Sequence, residues 1–288
     1  LRAKQSIWWK VFPASPGTRM SQFTFCLNTS TIKPQPLLEK IRLTAEAGFQ
    51  GVELWVNDVY EFVGQGGEVR DVEKAIADHG LIVPCMIAVR NWGEAIDVEY
   101  HLALDETKRR LELAARLGAP YLVATPPRLP CDMAQLARRY KDLLDIGRQV
   151  GCRPTFEYIS FFGSAFKLSH AWEVVQQVDD ADATLIYDSF HTWNSDSSLE
   201  ELRRIPADRI SHWHIDDAHP EMAATTQTDP NRVLPGDGQI NLAAEIDIIR
   251  EIGYSGTVSL ELFNAELWQR DPVEVLKVGI ERMRGLLG

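Results

Sequence analysis

Four short strand-like segments in the C-terminal half of the chain each carry one residue able to ligate a metal: Glu157 in TFEYI, Asp188 in LIYDSFH, His214 in SHWHIDD and Glu261 in VSLELF. Each lies at or near the C-terminal end of an apolar, β-branched run. In a parallel barrel those ends converge on the mouth where chemistry takes place. Three carboxylates buried together without a partner would be strongly unfavourable, so the set implies one divalent cation among them. Oxygen-rich coordination with a single imidazole suits Mn²⁺, Mg²⁺, Co²⁺ or Zn²⁺. His212 shares a strand face with His214 and is expected deeper in the barrel, whereas Tyr187 and Ser189 must point away from the face of Asp188.

The elements that would position these residues are legible from Phe23 onward. Short apolar runs (FTFCLNT, GVELWV, IVPCMIAV, YLVATP and the four segments above) alternate with stretches of helical period such as LLEKIRLTAEAG, DETKRRLELAARLG and AAEIDIIREIG. Gly48, Gly80, Gly118, Gly151 and Gly253 stand where helix C-caps are expected. Eight strands alternating with about eight helices predict an α/β chain folded as a single (β/α)8 TIM barrel, and 288 residues suit its usual size of roughly 250. An open doubly wound sheet shares the alternation, but no GxGxxG follows the first strand. The longest irregular stretch runs from Asp217 to Asn241 and includes the turn LPGDGQINL. A loop of that length within a compact domain is usually functional.

Composition narrows the class of function. The chain is 45% hydrophobic and 25% charged, as ordinary globular proteins are. Its net charge of −11 argues against nucleic-acid binding, which relies on clustered Lys and Arg. Cys26, Cys85, Cys131 and Cys152 form no CxxC pair, so neither disulfides nor a structural zinc cluster is expected, and a cytoplasmic location fits. Residues 1–19, LRAKQSIWWKVFPASPGTR, are basic and turn-rich, and Lys10 interrupts their apolar part. They are expected to be a poorly ordered extension ahead of a domain spanning 20–288. No run approaches the ~20 apolar residues of a membrane span.

The FEYI, YDSFH, HIDD and ELF segments resemble those of the xylose-isomerase-like TIM barrels, a family of sugar epimerases, isomerases and AP-endonuclease-type enzymes. Within it, DSFH, HIDD followed by DPNRVLPGDGQINL, and VSLELF are most similar to the inosose (2-keto-myo-inositol) isomerases. The likeness extends from about Phe23 to the C-terminus. It implies metal ligands at Glu157, Asp188, His214 and Glu261, paired acid/base carboxylates at Glu157 and Glu261, and substrate contacts at His191 and Arg232. Trp55, at the end of the second strand on the same face as Glu53, is a further pocket candidate.

Shifting a carbonyl to the neighbouring carbon, or inverting the centre beside it, requires removal of a weakly acidic C–H proton and its return elsewhere. A cation on the ketone and hydroxyl oxygens would act as Lewis acid toward the enediolate, and two carboxylates would exchange the proton. The expected function is therefore a divalent-metal-dependent isomerase or epimerase of a small keto-polyol or ketose. No nucleic-acid or membrane partner is expected, and a homo-oligomer is compatible with it. Dehydration of a cyclic keto-polyol begins with the same proton removal and is the nearest alternative. A non-catalytic sugar-binding barrel is another. The nuclease branch uses an additional Asp-x-His before the glycine turn, where this chain has Pro230, Asn231 and Arg232. Two departures from the inosose isomerase pattern are TWN after DSFH and a first strand ending in LNTST without an acid.

Overall fold

The computed structural model describes residues 22–288, so the expected extension at 1–19 lies outside the described residues. The chain runs through β1 (Thr24–Asn28), β2 (Gly51–Trp55), β3 (Cys85–Val89), β4 (Tyr121–Ala124), β5 (Arg153–Phe156), β6 (Leu185–Asp188) and β7 (Ile210–Ile215). A two-stranded antiparallel ribbon follows, β8 (Asp217–Ala218) with β9 (Arg232–Val233). Last comes β10 (Thr257–Leu260), which pairs in parallel with both β7 and β1 and closes an eight-stranded barrel. The single (β/α)8 barrel expected from the alternation is the observed architecture.

Helices pack around this barrel: α1 (Leu37–Glu46), α2 (Val56–Gly64), α3 (Val69–Asp78), α4 (Asp97–Arg116), α5 (Met133–Val150), α6 (Leu168–Val178), the short α7 (Ser189–Asn194) and α8 (Leu199–Arg203), α9 (Leu242–Glu251) and α10 (Pro272–Leu287). Their apolar faces meet the outward-facing strand residues in one continuous core that includes Leu27, Leu54, Met86, Leu122, Phe156, Tyr187, Trp213 and Leu260. The alternate strand residues face inward, where Cys85, Ile87, Val123 and Ile186 form a smaller cluster. α5 ends at Gly151 with φ +84°, a left-handed conformation that glycine adopts without steric cost. None of the helices among the described residues is long and apolar enough to cross a membrane.

The irregular stretch after β7 is organised by a single carboxylate. Asp217 Oδ2 accepts from the backbone N–H groups of Gly236 and Gly238, both at 3.0 Å, and Oδ1 from Ile240 at 2.8 Å. A Cβ at position 238 would fall 2.1 Å from the Ala218 carbonyl oxygen, so only glycine fits.

Behind the barrel wall, Ser189 Oγ donates to Glu245 on α9 at 2.6 Å and accepts from the Trp213 indole at 2.9 Å, tying down the start of α7. Burial pushes the Glu245 carboxyl up to about 7, against the lowering effect of the Ser189 hydroxyl. The unfolded chain ionises this group near 4.5, so its favourable neutral state contributes fully below that pH. The contribution is lost as pH rises through about 7. Glu245→Gln should keep the hydrogen bond without the ionisation. Its stability relative to the unsubstituted protein should therefore improve between pH 5 and pH 8, by about 3 kcal/mol at most. Urea unfolding of both proteins at the two pH values measures this.

Candidate functional site

Each sequence-predicted site residue lies at the C-terminal end of the barrel because of where its strand stops. Asp188 is the last residue of β6, His214 the penultimate residue of β7, and Glu157 and Glu261 each follow the last residue of β5 and β10. All four are buried. Together with Trp55, His191 and Arg232, Glu157 and Glu261 line a cavity of about 450 Å³ at this end.

Three of the four expected ligands converge. Single donor atoms of Asp188, His214 and Glu261 lie within 4.8 Å of one another. His214 Nδ1 is 3.2 Å from Glu261 Oε2 and 3.7 Å from Asp188 Oδ2, yet among the described residues it has no hydrogen-bond partner of good geometry. The other ring nitrogen, Nε2, lies 3.0 Å from Glu53 Oε2. Burial would lower the imidazole, but Glu261 and then Glu53 raise it well above its usual range, so a proton on Nδ1 holds this place until a cation displaces it. The contact with Glu53 is the carboxylate–histidine pair that orients metal-binding imidazoles. A divalent cation fits this donor set.

A second group of donors, Glu53, His212 and His214, lies within the same 4.8 Å limit but deeper. There, Glu53 Oε2 already accepts from Asn28 Nδ2 at 2.8 Å and Ser259 Oγ at 3.1 Å, and burial, which would raise its carboxyl, is outweighed by His214 and His212, which hold it well below the usual range. With His214 Nε2 also at 3.0 Å, Oε2 is engaged on three sides, and this layer supports the upper one. His212 lies beneath His214, as expected, against Thr257 at the start of β10.

Glu157 stands apart from the converging trio. Its Oε2 accepts from Thr125 Oγ1 at 3.3 Å, and burial followed by the charge of Glu261 pushes the carboxyl up to about 8. Arg232 occupies a position that its sequence did not suggest. Expected to face substrate oxygens, it turns Nη1 into the carboxylates, 3.0 Å from Asp188 Oδ2 and 3.3 Å from Glu261 Oε2, and also bonds Asp216. The guanidinium stacks on Phe190 and Phe263, 4.8 and 5.6 Å from their ring centres. Burial would raise Asp188, but Arg232 and then His191 hold it well below the ordinary carboxylate range.

His191 is set by its neighbours. Asp188 Oδ1 caps α7 by accepting from the His191 backbone N–H at 2.7 Å, which leaves Oδ2 for the cluster. Burial pushes the imidazole down to about 4, so it is neutral and accepts from Arg232 Nη2 at 2.9 Å. Trp55 is fixed by donating its indole N–H to Asn28 Oδ1 at 2.9 Å.

Sequence reasoning missed Asn28, which bridges the site. Its Nδ2 donates to both Glu53 and Glu261, at 2.8 and 2.7 Å, filling the place where the first strand lacks an acid. Asp216 was also unassigned; burial raises its carboxyl well above the usual range despite Arg232. Of the three aromatic residues Trp92, Trp193 and Phe162, Phe162 lines the cavity and the two tryptophans do not. Trp92 is fully buried, its indole donating to the Thr125 carbonyl, and Trp193 packs against the core.

The chain is similar to several known proteins. It is 25% identical over 266 residues to an inosose isomerase of Bacillus velezensis, covering 89% of this chain and 94% of that one. It is 29% identical over 240 residues to a 3-dehydroshikimate dehydratase of Pseudomonas aeruginosa, covering 79% of this chain but only 36% of that longer protein. In three dimensions it superposes on the crystal structure of the IOLI protein with a binding zinc atom, with a TM-score of 0.85 at 23% identity over 92% of this chain and 98% of that one. The sequence profile of the xylose isomerase-like TIM barrel family matches residues 41–286, and with the closed parallel barrel this places the chain in that family.

Proposed function

We propose that the protein is a divalent-metal-dependent enzyme that moves a proton beside the ketone of a small keto-polyol, an isomerase or epimerase of the inosose isomerase kind. The observation that carries this reading is the His214 Nδ1, unpartnered among the described residues, that faces Asp188 and Glu261, with Glu261 and Glu157 both lining the cavity. Asp188, His214 and Glu261, joined by Glu157, would hold the cation. When bound it supplies Lewis-acid stabilisation of the charge that develops on substrate oxygens.

The side chains do the rest. Glu157 and Glu261 exchange the proton with two carbons of the substrate, or with two faces of one carbon. As ligands of the cation both carboxylates would be ionised, and each could take up the proton as a base and return it as an acid. Arg232, drawn to carboxylates here, and neutral His191 are the groups that would orient substrate hydroxyls. Trp55 and Phe162 form apolar walls that limit water access. The identities of the inosose isomerase and dehydratase relatives support proton transfer beside a ketone as the common first step.

Incubating the Mn²⁺-loaded protein with 2-keto-myo-inositol and a panel of ketoses in D₂O tests this. Deuterium should enter the carbon beside the carbonyl, and a new keto-polyol should accumulate. Loss of water from the product would assign the dehydratase reading; binding without exchange would assign a sugar-binding barrel. Treatment with EDTA should abolish exchange and lower the melting temperature, and Mn²⁺ or Zn²⁺ should restore both.

A further inference from the structure

The cavity has two chemically different ends. Its lining joins the buried Glu157, Glu261 and Arg232 to the exposed Arg90 and Arg128, with Lys33, Lys40 and Asp229 also on it. Val89 and Ala124 are register partners on the neighbouring strands β3 and β4. Arg90 directly follows Val89 and Arg128 lies four residues beyond Ala124, so both arginines rise from the same sector of the mouth.

Neither guanidinium meets a carboxylate among the described residues. Arg90 lies over the Trp55 ring, 5.8 Å from its centre, and Arg128 over Phe162 at 5.2 Å. The segment that carries Arg128 is anchored: its carbonyl accepts from the Gly163 N–H at 2.7 Å, and the preceding Pro127 carbonyl accepts from Ser164 Oγ at 2.7 Å. Glu94, an exposed acid on the same wall, pairs with neither arginine. A guanidinium that lies over an aromatic ring and meets no carboxylate has N–H donors available for a carboxylate or phosphate, which arginine can bind bidentately.

We propose that Arg90 and Arg128 form an anion subsite, so that the ligand is an acidic or phosphorylated keto-polyol rather than a neutral one. This rests on the proposed function in taking the ligand to be a keto-polyol. The arginine wall attracts the ligand's anionic group, which fixes the orientation: the anion at the arginines and the carbonyl toward Glu157 and Glu261.

The test is calorimetric titration of the Mn²⁺-loaded full chain with two matched pairs, 2-keto-myo-inositol against 3-dehydroshikimate, and fructose against fructose 6-phosphate. At least one anionic member should bind tenfold or more tightly than its neutral partner; the pair that shows the preference tells carboxylate from phosphate. Arg90→Gln and Arg128→Gln should each cut that ratio several-fold, the double variant should bring it near one, and Arg90→Lys should retain part of it. An anionic ligand that binds no better than its neutral partner, or a preference that survives in the double variant, overturns the subsite. Deuterium exchange on the same four compounds separates the two proposals. Exchange without anion preference removes only the subsite, whereas anion preference without exchange into any of them keeps the subsite and removes the proton-transfer chemistry.

Discussion

Glu261→Gln is expected to lower kcat roughly 10³-fold, within the 10²–10⁴ range of a lost general acid or base, while the barrel remains folded and substrate still binds. Glu261 Oε1 accepts from Asn28 Nδ2 at 2.7 Å and Oε2 faces His214 Nδ1 and Arg232 Nη1 at 3.2 and 3.3 Å. A glutamine amide must turn its NH₂ toward one of those groups. On one side it meets the Asn28 donor; on the other it meets the guanidinium. It can neither take a proton from carbon nor contribute a charge to the cation. Glu157→Gln should lower kcat by a similar factor with less effect on metal affinity, because Glu157 lies outside the converging trio and its carboxylate, among the described residues, accepts only from Thr125 at 3.3 Å. Steady-state rates, deuterium exchange and metal titration on both variants separate the two roles. A rate within tenfold of the unsubstituted enzyme would remove that residue from the proton path.

The second large effect lies one layer below. Glu53→Gln is expected to weaken Mn²⁺ or Zn²⁺ binding 10- to 100-fold, the usual cost of losing the outer partner of a metal-binding imidazole. Glu53 lies within 3.0 Å of His214 Nε2, and Asn28 and Ser259 hold it in place with their own hydrogen bonds. A neutral amide keeps the volume but gives up the negative charge that directs the Nε2 proton and leaves Nδ1 as a donor of electrons. Calorimetric metal titration reads the effect directly, with the melting temperature of the metal-free variant as the control for folding. Undiminished affinity would mean that packing alone orients His214.

Glu53 also illustrates how far a linear reading reaches. The alternation in GVELWV places Glu53 and Trp55 on one face at the end of the second strand, and the structure has them there, both joined to Asn28. Their partners could not be read off, because His214 is 161 residues from Glu53 and Ser259 is 206 residues away. Arg232 is the sharper lesson. Its neighbours Asp229 and Asp237 are visible in the sequence, but its principal partners Asp188 and Asp216 approach only after the ribbon of β8 and β9 has folded over the mouth. Trp92 and Trp193, which pack into the core and not the cavity, show a related limit. A loop position says that a residue lies near the barrel top, whereas the direction of the ring depends on which helices pack behind it.

Periodicity by itself determined the eight barrel strands and the height at which Glu157, Asp188, His214 and Glu261 stand, but not the ribbon of β8 and β9. Side-chain alternation and strand length are local consequences of backbone geometry and need no knowledge of neighbours. The closed barrel alone decided which of those side chains face one another, that Asn28 and Glu53 lie beneath them, and that two arginines share one wall. Closure brings strands from opposite ends of the chain to within hydrogen-bonding distance, and at that range charge, burial and unfilled lone pairs select the partners.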